Sequence, residues 1–253
     1  MTEIRGIYTL WLREVKRYLR DRTRIVSSFF QPLLWLVIFG SGMRISVSIG
    51  SLSYQQYIFP GIIGQTLLFT SMFMGISVIW DREFGFLKEI LVAPISRFSI
   101  FLGKMLGDST DAVIQGIIVF CLGLLLGIPL SIVEFLEVLP LMLLITFGLV
   151  SIGLTIASFM ESLESFGVIQ SFINLPLFFL SGALFPIRGD QVPGWLQTVS
   201  HFNPLTYGVD ALRTIVLGAA WQPLYPLYFD LAVMCCFDIL MIVVGTLAFS
   251  RRK

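Results

Sequence analysis

Six stretches of mostly apolar residues, each long enough to cross a lipid bilayer, constrain this chain more than any other feature. A helix that crosses the hydrocarbon needs roughly 20 such residues, because it rises about 1.5 Å per residue through about 30 Å. The stretches are residues 25–43, 57–80, 105–128, 138–160, 166–187 and 227–249. We therefore predict an all-α integral membrane protein with six transmembrane helices.

Composition supports a membrane protein built as one domain over residues 1–253. Hydrophobic residues make up 56% of the chain and charged residues only 13%, which is too few to cover a soluble fold of this size. No low-complexity linker divides the sequence. The net charge of +1 indicates no nucleic-acid partner, and membrane lipids are the expected surroundings.

The distribution of lysine and arginine predicts the orientation. Counted by loop, 14 of the 17 basic residues fall on the side of both termini, and only Arg44, Arg188 and Arg213 fall on the other. Cytoplasmic loops carry the excess of basic residues in multi-pass proteins. We therefore expect both termini in the cytoplasm and the protein in the cell membrane. The fourth loop adds nothing to this pattern, since it holds Glu161 and Glu164 but no basic residue.

Residues 3–20, within the N-terminal segment 1–24, predict an amphipathic helix ahead of the first span. One face carries Ile4, Tyr8, Trp11, Val15 and Leu19, and the opposite face carries Arg13, Lys16, Arg17 and Arg20. Such a helix can lie in the headgroup layer with its apolar side toward the acyl chains. The alternative is a charge signal for topology alone. Past the fifth span, residues 192–202 and 205–217 predict two short re-entrant or interfacial helices.

No reaction centre is predicted. His201 is the only histidine and lies outside the spans, so an intramembrane serine protease would lack its base. Gly103 and Lys104 are the nearest approach to a phosphate-binding loop. That loop needs a glycine at position 98 and a hydroxyl at position 105, where this chain has Phe and Met. We expect no catalytic residue, metal or cofactor in this chain.

The third and fifth spans carry polar residues at membrane depth. Asp108, Asp111 and Gln115 share one helix face, with Lys104 one turn earlier. Ionisable groups in a span are costly and usually face a cavity or a partner. One interpretation makes this face the cytoplasmic entrance of a substrate path; the other pairs Lys104 with Asp108 near the headgroups and leaves the face structural.

In the fifth span Gln170 and Asn174 share a face, and Pro176 follows. These amides either contact a substrate or hold neighbouring helices together.

Four stretches, in this order and spacing, resemble the type-2 ABC exporter permeases, the family of drug, antibiotic-resistance and polysaccharide exporters. They are residues 57–61 (YIFPG), 81–96 (DREFGFLKEILVAPIS), 180–187 (LSGALFPI) and 203–213, which contains NPLTY and then DALR. The resemblance implies a pump of two permeases and two cytoplasmic ATPase subunits. ATP and magnesium would then be bound by the ATPases and not by this chain.

The resemblance also implies that residues 81–96 form the coupling helix that docks in a cleft of the ATPase. The residues expected to take part are Asp81, Arg82, Glu83, Phe84, Leu87, Lys88, Glu89, Leu91 and Pro94. Phe84, Leu87 and Leu91 give this segment an apolar face, and its charged residues can pair across an interface. Pro94 ends the helix. An ordinary amphipathic loop helix is the alternative.

We therefore expect the permease subunit of an exporter, paired with a second permease copy as a homodimer or a heterodimer. Its substrate would be an amphipathic drug, lipid or lipid-linked glycan. Alternatives from other classes are an ATP-independent channel or lipid scramblase, and a membrane anchor that transports nothing.

Overall fold

The computed structural model describes residues 2–42, 48–49, 52–188 and 192–250. Within them the chain is almost entirely helical, which confirms the predicted all-α class. A pair of two-residue strands, β1 (Ser48–Ile49) and β2 (Leu52–Ser53), precedes the third helix. The helices are α1 (Thr2–Arg20), α2 (Arg22–Gly42), α3 (Tyr54–Phe73), α4 (Ile76–Glu83), α5 (Phe86–Val92), α6 (Arg97–Leu125), α7 (Ile132–Phe159), α8 (Leu163–Phe179), α9 (Gly194–His201), α10 (Pro204–Leu217) and α11 (Leu227–Ser250), with a 3-10 turn at Gly218–Ala220.

Among the described residues, four helical stretches are long and apolar enough to cross a membrane. They are Tyr54–Glu83, which joins α3 and α4, and then Arg97–Leu125, Ile132–Phe159 and Leu227–Ser250. These four match the predicted second, third, fourth and sixth spans. The first predicted span falls on α2, which ends at Gly42, one residue short of the predicted boundary; Met43 lies outside the described residues.

The helix at the fifth predicted span, α8, ends before the hydrophobic stretch 166–187 does. α8 has 17 residues and ends at Phe179, so residues 180–187 form a loop and the predicted boundary at 187 is wrong. Gly182 turns this loop with a φ of 76°, in the left-handed region that favours glycine. The loop is apolar because it is buried: Ala183 and Leu184 pack in the core beside α3.

α3 is the central helix. Most of its residues are buried, and it packs against α2, α6, α7 and α10. α10 is one of the two short helices expected after the fifth span, and it packs against α3, α7 and α11. Its first turn is capped by Asn203, whose Oδ1 accepts from the Leu205 amide at 3.0 Å, and Pro204 occupies the first helical position. The outer segment is therefore built into the helix bundle.

α1 forms over Thr2–Arg20, as the periodicity of residues 3–20 predicts. It packs along α6 through Leu10, Glu14 and Tyr18, which are buried. The two helices approach closely, because a Cβ at Gly107 of α6 would lie 2.6 Å from the Cβ of Glu14. The contact face therefore lies beside the predicted apolar stripe, of which three residues remain exposed: Ile4, Tyr8 and Leu19.

Candidate functional site

Residues 81–96, the predicted coupling segment, form a short projection between α4 and α6. The helix is interrupted between Glu83 and Phe86 at Gly85, whose φ of 79° lies in the left-handed region that favours glycine. Phe84, at the tip, is 71% exposed, and Glu83, Phe86 and Glu89 are exposed beside it. The projection thus presents aromatic and acidic side chains outward.

The helix of the projection is α5, which ends at Val92. Ala93 has a ψ of 143°, the extended conformation expected of a residue that precedes a proline, so Pro94 terminates the helix as predicted. Leu87, Lys88 and Leu91 lie within α5, and their side chains are outside the part of the structure that is described.

Asp81 and Arg82 begin the segment but point into the protein. Asp81 is buried. The Arg82 guanidinium donates to the carbonyl of Ser158 at 3.1 Å and to that of Met160, both at the end of α7. These two residues anchor the projection, and the surface available to a partner begins at Glu83.

Asp81 belongs to a buried charged junction that also contains Lys104 of α6 and Glu14 of α1. Lys104 is 0% exposed, and its Nζ donates to Glu14 Oε1 of α1 at 3.0 Å and to Asp81 Oδ2 of α4 at 2.7 Å. An ammonium group is costly to remove from water unless it is paired and hydrogen-bonded. Three helices therefore meet at one buried charge. The hydrogen bonds of Lys104 thus go to Glu14 and Asp81, and not to Asp108 as one of the two interpretations expected.

Two arginines of α1 extend the junction toward the surface. Arg13 binds both carboxylate oxygens of Asp81, the longer contact being 3.2 Å. Burial lowers and the bond to Asp81 raises the pKa of Arg13, with a net shift upward. Arg17 lies 4.9 Å from the centre of the Trp80 ring of α4, a cation–π contact.

The far end of the projection is attached to the same helix. The backbone amide and the hydroxyl of Ser96 both donate to the Glu3 carboxylate of α1 at 3.0 Å. The hydroxyl also accepts from the Ser99 amide at 3.1 Å, which caps α6. α1 thus holds the projection at Asp81 and again at Ser96.

The polar face of the third predicted span is divided between two clefts. Asp108 and Asp111 are buried and line a cleft with residues of α1 and α4. Gln115, one turn further along α6, lines another cleft, and its Oε1 accepts from Thr70 Oγ1 of α3 at 2.7 Å. The two acids therefore lie toward α1, whereas the amide lies toward α3.

Gln170 and Asn174 lie on α8, which packs mainly on α3. Gln170 is half-buried and Asn174 is buried. Among the described residues no hydrogen bond joins either of them to Gln115. The expected substrate-path residues are therefore brought together only in part.

A second charged site, not predicted from the sequence, lies at the start of α3. Arg213 of α10 is buried and donates through Nη2 to the carbonyls of Gly182 and Ala183, both at 2.8 Å, and through Nε to that of Tyr57 at 3.3 Å. Its guanidinium lies 3.9 Å from the Tyr57 ring centre. An arginine and an aspartate within one apolar helix are the sequence signal that could have indicated this site.

Asp210, one turn before Arg213, binds the chain that follows α10. Its carboxylate accepts from Trp221 Nε1 at 3.0 Å and from the amides of Leu224 and Tyr225 at 2.6 and 3.1 Å. Three of the four stretches noted in the sequence, 57–61, 180–187 and 203–213, meet at these two charges. The fourth, 81–96, is the projection at the other end.

An all-helical chain with several membrane-length apolar helices and buried charges between them is a multi-pass membrane protein. Residues 5–217 match the family described as ABC-2 type transporter, and the chain belongs to this family.

Similar proteins cover nearly the whole chain. The ycf38 transport permease of Cyanophora paradoxa is 33% identical over 98% of this chain and 89% of that protein. Nodulation protein J of Rhizobium leguminosarum bv. trifolii is 26% identical over 90% of this chain and 86% of its own length. The inner membrane transport permease YadH of Escherichia coli K12 is 27% identical over 87% and 86%.

Proposed function

We propose that this chain is the permease subunit of an ABC exporter, which moves an amphipathic drug, lipid or lipid-linked glycan outward. A separate cytoplasmic ATPase subunit binds ATP and magnesium and drives it. Membership of the ABC-2 type transporter family and the likeness to transport permeases support the permease role.

In this proposal the chain crosses the cell membrane six times, with both termini in the cytoplasm. α2 and α8 supply the first and fifth crossings besides the four long helices. The concentration of basic residues on the side of the termini supports the orientation. In the proposed orientation the projection at residues 81–96 lies in the cytoplasm and the Arg213 site lies on the outer side.

The observation that carries the proposal is the attachment of the projection. Its tip is exposed at Phe84, while its ends are held by α1 at Asp81 and Ser96, and Asp81 is bound in addition to the buried Lys104 of α6. A push on the tip would therefore be passed to α1 and, through Lys104, to α6. This is the mechanical link that a partner ATPase needs in order to act on the membrane helices.

We further propose that two copies of the permease pair in the membrane, most simply as a homodimer. α8 is only lightly packed and exposes an apolar face that includes Val168, Phe172 and Leu175. Lipid or a second copy can cover such a face. A path between the two copies would then carry the substrate outward when ATP brings the ATPases together.

Replacing Phe84 with aspartate tests the docking role of the projection. The change should reduce the amount of ATPase that copurifies with the permease about tenfold or more, because a charge enters the apolar centre of the contact. The matched control is Phe202→Asp, because Phe202 is 84% exposed and belongs to the outer segment. The control should retain the ATPase.

Both variants should elute from size-exclusion chromatography like the unchanged protein, because neither side chain is buried. Retention of the full amount of ATPase by a folded Phe84→Asp variant would falsify docking at the projection. Loss of ATPase in Phe202→Asp as well would show that the effect is not specific to the cytoplasmic end.

A further inference from the structure

A cavity of about 530 Å³ lies beside Arg213. It is enclosed by the start of α3, the loop that follows α8 and the segment that follows α10. Pockets that bind small ligands measure about 300–1,000 Å³. Exposed residues line part of it, among them Arg188, Ala220 and Gln222, so it can be entered from the surface. The cavity is therefore large enough for the head group of an amphiphile and accessible to one.

Arg213 brings a buried positive charge to this cavity. Its residue is 2% exposed, and within the described chain it forms no ion pair. The carbonyls of Tyr57, Gly182 and Ala183 satisfy three N–H groups, but a carbonyl is a dipole and cancels no net charge. A buried charge without a counter-ion is costly. Its burial therefore indicates an anion that comes from outside the chain.

Asp210, one turn earlier on α10, does not provide that anion. Its carboxylate oxygens accept from Trp221 Nε1 and from the amides of Leu224 and Tyr225. The carboxylate therefore holds the segment that follows α10. It attracts the guanidinium only at longer range, where the attraction is weaker.

The Arg213 guanidinium keeps one nitrogen for a ligand. Its three hydrogen bonds use Nε and Nη2, and none of them uses Nη1, which carries two further N–H groups. Nη1 is also not one of the fully buried atoms that lack a partner, so it is open to the cavity that Arg213 lines. Arginine N–H groups form short, strong hydrogen bonds to the oxygens of phosphates and carboxylates.

The rest of the lining suits an anion that carries an apolar group. Arg188 donates to two backbone carbonyls of the segment after α10, which leaves three of its five N–H groups. Two cations at one cavity attract anions and oppose cations. Leu52, Ile187 and Trp221 add apolar surface, which stabilises a hydrocarbon chain but not a free inorganic ion. An anionic amphiphile therefore fits the described lining.

We propose that this cavity binds the anionic head group of a lipid-like amphiphile, a phosphate, sulfate or carboxylate, with Arg213 Nη1 as its main partner and Arg188 as a second cation. Bilayer lipid and transported cargo share this chemistry. The position of the cavity on the outer side of the membrane rests on the proposed function, whereas binding itself requires no ATPase.

The test compares octyl phosphate, octyl glucoside and octyltrimethylammonium, which share one chain, with inorganic phosphate, which has none. Each is added, the amphiphiles below their micellar concentrations, to the full chain in phosphatidylcholine nanodiscs without ATP. Thermal unfolding is followed against concentration. We expect saturable stabilisation by octyl phosphate at a concentration at least tenfold lower than by any of the other three.

A charge series at Ala220 tests the site without changing Arg213. Ala220 lines the cavity and is exposed, so its replacement should leave the fold intact. Ala220→Glu adds a carboxylate to the lining and should weaken octyl phosphate binding about tenfold. The matched control Ala220→Gln has the same size without the charge and should bind like the unchanged protein. Arg188→Gln should weaken binding only about threefold, because Arg213 remains.

Nanodiscs that contain phosphatidylglycerol distinguish the two sources of the anion. A higher unfolding temperature in these discs, lost in Ala220→Glu but kept in Ala220→Gln, would identify bilayer lipid as the ligand. Stabilisation by added octyl phosphate with no such effect of phosphatidylglycerol would identify a molecule other than bulk lipid. Both results support an anion site.

Equal stabilisation by all four compounds, or preference for the glucoside or the ammonium compound, would overturn the proposal. Inorganic phosphate as effective as octyl phosphate would reject an amphiphile, and unchanged octyl phosphate binding in Ala220→Glu would reject this cavity. Complete loss in Arg188→Gln would reject Arg213 as the main partner. The permease role is judged separately, by ATPase copurification: a chain that binds octyl phosphate but retains no ATPase would keep this site and reject the exporter.

Discussion

Buried charges occur at both ends of the helical stretch Tyr54–Glu83, which joins α3 and α4, and the two ends satisfy them in different ways. At one end Lys104 bonds to carboxylates from two other helices, Glu14 and Asp81. At the other end Arg213 bonds to three backbone carbonyls, while Asp210, one turn away, bonds to an indole and two backbone amides. Tyr57 at one end and Asp81 at the other lie about 35 Å apart along this stretch.

The difference indicates different mechanical roles. Side-chain ion pairs join whole helices, and they can shift or exchange partners while each helix stays intact. Bonds from a charged side chain to loop backbone fix the shape of the loop itself, and they are lost only if the loop unfolds. We therefore expect the Lys104 end to move during transport and the Arg213 end to keep its structure.

The largest effect should come from Arg213→Ala. It removes the charged donor from the carbonyls of Tyr57, Gly182 and Ala183. Each such bond contributes about 1.5–3 kcal/mol, so the folded state should lose on the order of 5 kcal/mol. Thermal unfolding in nanodiscs measures this loss.

The matched control is Arg188→Ala. Arg188 also donates to backbone carbonyls, those of Pro223 and Leu224, but it is exposed, and its loss should be much smaller. If both variants lose the same stability, the burial of Arg213 does not strengthen its hydrogen bonds.

Lys104→Met should destabilise the protein by about 3–5 kcal/mol, because two buried carboxylates lose their ammonium partner. Adding Glu14→Gln and Asp81→Asn should recover much of that loss, since neither carboxylate that was bonded to Lys104 is then charged. The triple variant would be folded but should transport poorly, because the link between α1, α4 and α6 is weakened. Thermal unfolding and ATP-driven transport separate these two effects. If the triple variant is no more stable than Lys104→Met, the junction is not an exchangeable ion-pair cluster.

Asp210→Asn should cost about 1–3 kcal/mol, because one of the two carboxylate oxygens becomes an amide nitrogen and a bound donor loses its acceptor. Asp230 of α11 is the comparison. It is equally buried, yet neither of its carboxylate oxygens has a hydrogen-bond partner among the described residues. Asp230→Asn should therefore cost nothing or stabilise the protein. Unfolding temperatures of the two variants test this contrast, and a larger loss in Asp230→Asn would contradict it.

The spans could be predicted because hydrophobic length is a local property of the sequence. The end of α8 could not, since an apolar loop buried in a protein has the composition of the last turns of a membrane helix. The shape of residues 180–187 depends on Arg213, about 30 residues further along the chain, which binds the carbonyls of that loop.

The charged junction was predicted less well, for a related reason. One of the two interpretations of the third span, based on helical spacing, paired Lys104 with Asp108, whereas in the structure Lys104 donates to Asp81 and to the distant Glu14. Asp81 was expected on the docking surface because the resemblance to exporter permeases placed it in the coupling segment. A single sequence reports the period of each helix but not which face of α1 lies on α6, and that packing selects the partners.

The smallest effect should come from Arg13→Ala, at the edge of the junction. Arg13 binds Asp81, but its side chain is 35% exposed, and Asp81 would keep its bond to Lys104. Partly exposed ion pairs contribute up to about 1 kcal/mol and are screened by salt. The loss of stability should therefore be measurable at low ionic strength and nearly absent at high ionic strength. A loss as large as that of Lys104→Met, and independent of salt, would place Arg13 inside the junction and extend the ion-pair cluster to the surface of α1.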